Sequence, residues 1–289
     1  MLGQPSSPSY LEIPLTVRRT RGVHAAYPAL TPRKNRLLEA LPVEHYERLV
    51  PYLEPVPLHV GATIYAAGDR EKYLYFIVDG IVSRVHMTES GASAEAAVTG
   101  REGVIGIAAF LGGESTQTNA RVVTAGYAYR LPRNVLKSEM ATGGPLLHIL
   151  LRYTQTLIAQ CGQMAACNLH HSIEQRLCRW ILASLYRLSS SEMTITHAQL
   201  SDLLGVRREG VSEAYGRLQE MGLINHRRSH VEVVRHRQLE LLACECYVIE
   251  KRELERSLNA DAARAHNMHV SPHVVPLVRR GNRDSVMVN

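Results

Sequence analysis

The hydrophobic pattern of the chain changes at Gly143-Gly144-Pro145, and this change restricts the possible folds more than any other feature. Before it, short β-branched and aromatic runs alternate with glycine-containing turns, which predicts an antiparallel sandwich or roll. After it, apolar residues recur every three or four positions, which predicts helices. Proline in a first turn favours a helix start at this point. We therefore expect an α+β chain with a β-domain followed by a helical region.

Six strands are predicted in the first half of the chain. They are Thr63 to Tyr65, Tyr73 to Val78, Ile81 to Met87, Glu95 to Val98, Ala120 to Ala125 and Tyr127 to Leu131. Turns such as Asp79-Gly80 and Gly126 are expected to separate them. The prolines from Pro51 to Pro57 should end a short helix that precedes the first strand.

The segment after Pro145 repeats its larger side chains in steps of four and three, as a coiled-coil seam does. The seam residues are Leu146, Leu150, Tyr153, Leu157, Gln160, Met164 and Cys167 or Asn168. This pattern predicts a helix with a partner along its length. A second copy and the chain's own β-domain fit it equally well. The next helix, Ser172 to Leu188, is expected to expose Arg176 and Arg179.

Residues 194–234 predict a winged helix-turn-helix. Thr196 can cap a first helix, Gly205 suits the tight turn, and a second helix starts near Arg207. A hairpin from Leu223 to Val234 would form the wing. The first turn of the second helix carries groups that suit base edges and phosphates, namely Arg207, Arg208, Glu209, Gly210, Ser212 and Glu213. DNA binding is therefore predicted, with a winged helix that binds only protein as the alternative.

The net charge of +6 agrees with a polyanionic partner, but its position matters more than its size. Residues 33–142 are neutral, the two termini together hold +4, and residues 143–237 carry eleven Arg against seven acids. Every cation between residues 138 and 250 is Arg. Arg suits phosphate and guanine recognition, although a GC-rich genome would also favour it.

Composition and motifs exclude several other classes of protein. With 45% hydrophobic and 21% charged residues and no apolar run of about 18 residues, the chain reads as soluble and without a membrane span. Pro5, Ser6, Ser7 and Pro8 stand where a signal peptide would need an apolar run, and the five cysteines are an odd number, so we expect a cytoplasmic protein with reduced thiols. No nucleotide-binding or hydrolase motif is present, so no enzymatic activity and no cofactor are predicted.

With these elements the chain resembles the Crp/Fnr superfamily of bacterial transcription regulators, over about Leu37 to Val234. The most specific segments are Gln199 to Ile224, and Tyr73 to Gly80 with Gly103 to Gly106. The resemblance implies a jelly-roll-like β-roll, a long dimerisation helix and a C-terminal winged helix-turn-helix. The expected organisation is a disordered tail over 1–32, a cyclic-nucleotide-binding-like sensor domain over 33–142, the dimerisation helix over 143–171, the DNA-binding domain over 172–237, a C-terminal helix over 238–258 and a disordered tail over 259–289.

The resemblance also implies the DNA contacts. Arg208, Glu209 and Glu213 occupy the three base-reading positions, where Arg208 would donate to guanine and Glu209 would accept from cytosine. The family commonly has Arg at the third position, so Glu213 indicates a different half-site. Phosphate contacts are expected from Arg207, Ser212, Arg217, Arg227, Arg228 and His230. A homodimer would bind a two-fold symmetric operator on double-stranded DNA, with RNA polymerase as a candidate further partner.

The sensor positions differ from those of the family's cyclic-nucleotide binders. Their Gly-Glu and Arg-Ser/Thr pairs are replaced by Gly106-Ile107 and Thr118-Asn119. Without the Arg, a buried cyclic phosphate would lack a charge partner, so cyclic AMP is not the expected ligand. Ala166-Cys167-Asn168 and residues 243–247 resemble the corresponding segments of a subgroup of the family that lacks the cyclic-nucleotide site. The signal that the roll would sense stays unknown.

The cysteines and histidines are interpreted as structural, and no metal site is predicted. Residues 1–160 contain no Cys, which excludes the family's N-terminal iron-sulfur cluster. Cys161 falls where the family's long helix touches the effector, so a thiol switch or a buried structural thiol is possible there. Cys244 and Cys246 are expected on different faces of a helix, without the second pair that zinc needs. His170-His171 with Glu174 likewise lacks a second pair.

Overall fold

The computed structural model describes residues 31–267 of the 289-residue chain. The predicted N-terminal tail lies outside the described residues except for its last two positions. The predicted C-terminal tail lies outside them after Asn267.

The first half of the described chain forms a β-roll. Two short helices, α1 (Arg36–Glu39) and α2 (Val43–Leu49), precede one antiparallel sheet. Its strands are β1 (Glu54–Leu58), β2 (Thr63–Tyr65), β3 (Tyr73–Met87), β4 (Ser93–Thr99), β5 (Val104–Ile105) and β6 (Asn119–Pro132), and helices α3 (Ala108–Leu111) and α4 (Arg133–Ala141) flank β6. The strand order is β1-β6-β3-β4, with β2 paired to β6 and β5 to β3. The predicted antiparallel β-roll is confirmed.

The turns predicted at Asp79-Gly80 and Gly126 are wrong, because both lie inside continuous strands. β3 and β6 pair along most of their length, with register shifts on both sides of Asp79. Gly80 has a φ of +88°, and a Cβ on Gly126 would collide with the carbonyl of Asp79. The glycines therefore allow a close approach of two strands at a bulge, which has the same sequence signature as a turn.

The sequence pattern does not predict strand β1, because Pro55 and Pro57 indicate a helix end. Pro55 and Pro57 pair with Tyr129 and Tyr127 of β6, and β1 is the edge of the sheet order. Proline cannot donate a backbone hydrogen bond, and an edge strand is the place in a sheet that tolerates this loss.

Helix α5 (Pro145–His170) follows the roll and confirms the predicted long helix. Most of its predicted seam residues are buried within the chain, and the helix packs on β4 and on the C-terminal helix described below. The partner of that seam is therefore the chain itself. A different face of α5 is exposed, with Leu151, Ile158 and Leu169 at its surface.

Helix α6 (Ile173–Leu188) starts at Ser172, whose hydroxyl forms a reciprocal capping box with Gln175. The prediction that Arg176 and Arg179 face solvent is wrong, since they are 7% and 2% exposed. Arg179 pairs with Glu250 at 3.3 Å, a residue 71 positions further along the chain. A local pattern cannot reveal such a distant partner.

The remaining elements form the winged helix and a C-terminal pair of helices. They are β7 (Glu192–Thr194), α7 (His197–Leu204), α8 (Arg208–Glu220), β8 (Ile224–Arg227), β9 (His230–Val233), α9 (His236–Leu242) and α10 (Cys246–Asn267). The small sheet has the order β7-β9-β8. One helix was predicted over 238–258, but the chain is extended at Ala243 and α10 continues to Asn267. No helix between residues 31 and 267 is long and apolar enough to cross a membrane.

A buried ionic network joins the roll to the helices. Arg187 on α6 contacts Glu102 at 2.9 Å and Glu250 on α10 at 2.6 Å, and all three side chains are at most 6% exposed. Gln160 on α5 also donates to Glu250, at 2.8 Å. Burial alone would raise the pKa of Glu250, but Arg187 and Arg179 together hold it below its usual value.

We expect Glu250→Gln to lower the free energy of unfolding by about 3 to 5 kcal/mol at neutral pH, because it leaves buried guanidinium groups without their counter-charge. Urea unfolding measures the change. The control is Glu253→Gln on the same helix, which breaks only an exposed pair with Arg256 and should cost about 0 to 1 kcal/mol. The pairing of Glu250 stabilises the fold above its unfolded pKa, so the difference between wild type and Glu250→Gln should shrink in acid. Equal stability of the two variants at neutral pH would contradict the role of the network.

Candidate nucleic-acid interface

Local sequence signals build the helix-turn-helix. Thr196 caps α7 in a reciprocal capping box with Gln199, and Gly205 ends the helix with a φ of +62°. Apolar side chains on the inner faces of the two helices are buried, namely Leu200, Leu203, Leu204, Val211, Ala214, Tyr215 and Leu218. The opposite face of α8 therefore points away from the core.

The N-terminal turn of α8 is exposed and polar. Arg207 is the N-cap residue and makes no capping hydrogen bond with its side chain. Arg208 and Glu209 are exposed, and within the described part of the chain neither side chain has a hydrogen bond or an ion pair. Free backbone N–H groups at a helix start also favour phosphate. This turn can offer the N–H donors of the Arg208 guanidinium and the carboxylate acceptor of Glu209 to another molecule.

Three other predicted contact residues already have partners. Arg217 contacts Glu174 of α6 at 2.6 Å and Glu213 at 3.1 Å. The Ser212 hydroxyl lies 2.9 Å from Nδ1 of His197. All of these side chains except those of Glu174 and His197 are exposed. Arg217 must therefore exchange or share its carboxylate partners if it is to contact a phosphate.

The wing brings a second set of cations to the surface. Arg227 ends β8, and Arg228 lies in the turn with a φ of +56°. Both are exposed, and the structure shows no side-chain ion pair for either among residues 31–267. His230 starts β9 and lies 3.2 Å from Glu192. Arg227 and Arg228 are thus cations of the wing without an ion pair among the described residues, whereas His230 already contacts Glu192.

An aromatic stack that sequence reasoning missed links the parts of this unit. His197 of α7, Tyr215 of α8 and His226 of β8 stack with ring centroids 4.7 Å apart for each pair. Burial lowers the pKa of His197, with further lowering by His226 and Arg208, and burial also lowers the pKa of His226. The neutral rings therefore hold the wing against the exposed helix.

The predicted effector positions lie around a carboxylate that the sequence analysis did not single out. Glu71 is 2% exposed and accepts hydrogen bonds from the Ala108 N–H at 2.7 Å and the Thr116 hydroxyl at 3.3 Å. The Thr116 hydroxyl lies 3.2 Å from that of Thr118, which connects a predicted pocket residue to this carboxylate. Burial raises the pKa of this carboxyl, and the hydrogen bond from the Ala108 N–H opposes the shift, so a titratable carboxyl of the chain itself occupies this region.

The other predicted pocket residues also make contacts within the chain. Gly106 has a φ of +101° and packs against the carbonyl of Tyr73, and Ile107 is the half-buried N-cap residue of α3. Asn119 accepts a hydrogen bond from the Ala67 N–H at 3.1 Å. Cys161 is half-buried, and burial raises the pKa of its thiol. This shift disfavours the reactive thiolate and supports the structural interpretation of Cys161.

A buried arginine, also missed from the sequence, crosses the interior of the roll. Arg84 of β3 donates to the Thr99 hydroxyl at 2.7 Å and to the Val104 carbonyl at 2.6 Å. Tyr153 of α5 donates to the same carbonyl at 3.0 Å. The guanidinium thus ties the roll to α5 close to the expected effector positions.

Acid should weaken the winged helix through the aromatic stack. Because the folded-state pKa values of His197 and His226 lie below the unfolded value of about 6.5, stability falls as the pH drops below that value. We expect the urea midpoint to decrease between about pH 7.5 and 5.5, and His226→Gln to reduce this dependence. His59→Gln, at an exposed position after β1, is the control and should keep the wild-type dependence. An unchanged pH dependence in His226→Gln would show that the stack does not titrate in this range.

Two protein families match the chain in the regions just described. The cyclic nucleotide-binding domain matches residues 55–142, which form most of the roll. The Crp-like helix-turn-helix domain matches residues 175–242, which include the capped helices and the wing.

Individual proteins show the same likeness. Electron transport regulator A of Shewanella oneidensis is 27% identical over 196 residues, which is 65% of this chain and 77% of that protein. The fumarate and nitrate reduction regulatory protein of Vibrio cholerae is 22% identical over 198 residues, with the same shares of the two chains. The structure of FixK2 from Bradyrhizobium japonicum superposes with a TM-score of 0.59 at 17% identity, over 66% of this chain and 98% of that chain. With both family domains in the same order, this chain belongs to the Crp/Fnr superfamily of transcription regulators.

Proposed function

We propose that the chain is a DNA-binding transcription regulator that binds a two-fold symmetric operator as a homodimer. The observation that carries this proposal is the exposed first turn of α8, where Arg208 and Glu209 have free side chains on a helix whose other face is buried. A helix presented in this way enters the major groove with its N-terminal residues at the base edges. DNA as the partner also makes the cytoplasm the expected compartment.

Arg208 and Glu209 would read neighbouring base pairs. Arg donates in bidentate fashion to O6 and N7 of guanine, and Glu accepts from N4 of cytosine. Glu213 lies one helical turn after Glu209 and pairs with Arg217, so its carboxylate would also act as an acceptor. Two carboxylates and one guanidinium favour a half-site that is richer in cytosine or adenine contacts than one read by two arginines.

The phosphate contacts would come from α8 and from the wing. Arg207 and Ser212 lie beside the base-reading residues, whereas Arg227, Arg228 and His230 belong to the wing. Phosphate contacts position the protein and carry no sequence information directly. Arg217 would join this set after releasing Glu174 or Glu213.

The homodimer would form through the exposed face of α5. Leu151, Ile158 and Leu169 are 47%, 68% and 77% exposed, and Gly162 and Ala165 lie exposed between the last two. Positions 151, 158, 162, 165 and 169 follow heptad spacing, which puts them along one side of the helix. Small residues at the centre would allow two copies of α5 to approach closely.

The roll would respond to a signal other than a cyclic nucleotide. The buried Glu71 carboxyl, which Thr116 connects to Thr118, lies among the predicted pocket residues and would not attract an incoming phosphate. The roll also touches the DNA-binding unit directly, since the Ser93 hydroxyl of β4 donates to the carbonyl of Asp202 on α7 at 3.0 Å. A change in the roll could thus reach α7, and RNA polymerase is the further partner expected if the chain activates transcription.

Substitution of Arg208 and of Arg228 should separate base readout from phosphate attraction. Arg208→Ala should lose discrimination between operator and mutated operator, at a cost of about 1 to 3 kcal/mol. Arg228→Ala should weaken binding to all sequences and reduce the salt dependence by about one phosphate contact. Electrophoretic mobility shifts with the upstream region of its own gene and a scrambled duplex, across salt concentrations, measure both. An Arg208→Ala protein that protects the same operator at full affinity would refute the assignment.

Replacing Ile158 with Arg should disrupt the dimer. A buried charge at the centre of the α5 face would have no partner, so Ile158→Arg should sediment at the 32.2 kDa mass of one chain. Operator affinity should fall by about 100-fold or more, because the second half-site no longer contributes. Leu241→Arg is the matched control, since Leu241 is 79% exposed on α9 and lies outside the α5 face. A wild-type protein that sediments as a monomer at micromolar concentration would contradict the proposed interface.

A further inference from the structure

Three cysteines and one histidine converge where α5 ends and α10 begins. Cys167, His171, Cys244 and Cys246 each offer a ligand atom, and these atoms all lie within 4.8 Å of one another. The first two are one turn apart at the C-terminal end of α5. Cys244 precedes α10, and Cys246 is its first residue. The expectation that the two C-terminal thiols point to different faces of a helix is therefore wrong, because Cys244 lies in the connection between α9 and α10, after the extended Ala243.

Two of the six distances between these ligand atoms match a single tetrahedral metal ion, and all six are at most 4.8 Å. The sulfurs of Cys167 and Cys244 are 3.6 Å apart, as are the sulfur of Cys246 and Nδ1 of His171. A zinc ion with bonds of about 2.3 Å to sulfur and about 2.0 Å to nitrogen separates its ligand atoms by about 3.5 to 3.8 Å. An iron-sulfur cluster would instead divide the ligands between different irons and spread them further apart.

We propose that Cys167, His171, Cys244 and Cys246 bind one zinc ion in a closed, structural Cys₃His site. Soft thiolate ligands with one imidazole select zinc over magnesium or calcium. The three cysteines are at most 3% exposed, so four protein ligands would complete the coordination and leave no position for a substrate.

The surroundings of the four residues support metal binding. The Glu245 carboxylate lies 3.2 Å from Nε2 of His171, on the ring nitrogen opposite the one that faces Cys246. This arrangement orients a metal-binding histidine and fixes its tautomer. The Gln163 amide also donates to the sulfur of Cys246 at 3.0 Å. The Glu245 contact leaves Nδ1 of His171 free to bind the metal, and the Cys246 thiolate keeps lone pairs for the metal beside the hydrogen bond from Gln163.

The charges are also balanced. Zinc with three thiolates carries a net negative charge, which is costly to bury alone. Arg176 and Arg179 are buried on α6 and interact electrostatically with the sulfurs of Cys167 and Cys244. The sequence pattern predicts these two arginines in solvent. The negative charge of the proposed site would stabilise their guanidinium groups in the interior.

Such a site would fasten α10 to the point where α5 ends and the chain turns into α6. The three cysteines form a small buried cluster that is separate from the main core of the C-terminal half, so the ion would add a cross-link at one end of the contact between α5 and α10. Metal binding would therefore stabilise the connection between the long helix and the DNA-binding unit.

The first experiment measures metal in the untagged, full-length protein purified without chelators. Elemental mass spectrometry should find about one zinc per chain and no iron, and an acid-release colorimetric assay should find no labile sulfide. After removal of zinc under reducing, anaerobic conditions, added Co²⁺ should give the thiolate charge-transfer band and the intense visible bands of a tetrahedral site. Stoichiometric zinc should displace both.

The second experiment uses matched variants. Cys244→Ser should lose zinc, whereas Cys161→Ser, which removes another thiol of the same protein, should retain it. Glu245→Gln keeps all four ligands and should weaken zinc binding about 10- to 100-fold in competition with a chromogenic chelator. Glu240→Gln is its control, because Glu240 also faces a histidine, His236, but outside the cluster.

Several results would overturn the proposal. They are a wild-type protein without zinc that also gives no tetrahedral Co²⁺ spectrum, a bound iron-sulfur cluster, or a disulfide between Cys167 and Cys244 in protein kept under reducing conditions. Equal zinc affinity of Glu245→Gln and Glu240→Gln would remove the role of Glu245. If Cys244→Ser does not fold, the wild-type Co²⁺ titration and the Glu245→Gln comparison still decide the question.

Discussion

The contact between Arg187 and two buried carboxylates joins the roll to α6 and α10. Glu102 lies between strands β4 and β5 of the roll, Arg187 lies on α6 and Glu250 on α10, while Gln160 brings in α5. Buried ions are stable only where their partners are correctly placed, so this network accepts one arrangement of four elements and penalises others. Since α6 leads directly into the winged helix, the same contact fixes where the DNA-binding unit begins.

The parts of the fold and site that depend on near neighbours could be predicted from the sequence. Thr196 finds its capping partner three residues away, and Gly205 adopts the turn conformation by its own geometry. Helix periodicity was also sufficient to place Arg208 and Glu209 on the outside of α8. Asp79-Gly80 shows the limit of this approach, because a glycine that permits a turn also permits a bulge, and only the pairing of β3 with β6 distinguishes them.

The features that escaped prediction depend on residues that are distant in sequence. Arg179 and Glu250 are 71 positions apart, Cys167 and Cys244 are 77 apart, and Arg217 meets Glu174 across 43 residues. Hydrophobic periodicity describes one helix at a time. It gives the position of a charged or thiol side chain on its own helix, but not the residue of another element that this side chain contacts. The aromatic stack was missed for the same reason, because its three rings come from α7, α8 and the wing.

The prolines of β1 have a consequence for how copies of the chain can associate. A strand that lies at the edge of a sheet normally offers a row of backbone donors to any passing strand. Pro55 and Pro57 supply no such donors, and alternate residues of a strand direct their N–H groups to the same side. Pairing of another strand along this edge is therefore disfavoured by covalent structure and not by charge, so the effect persists at any ionic strength.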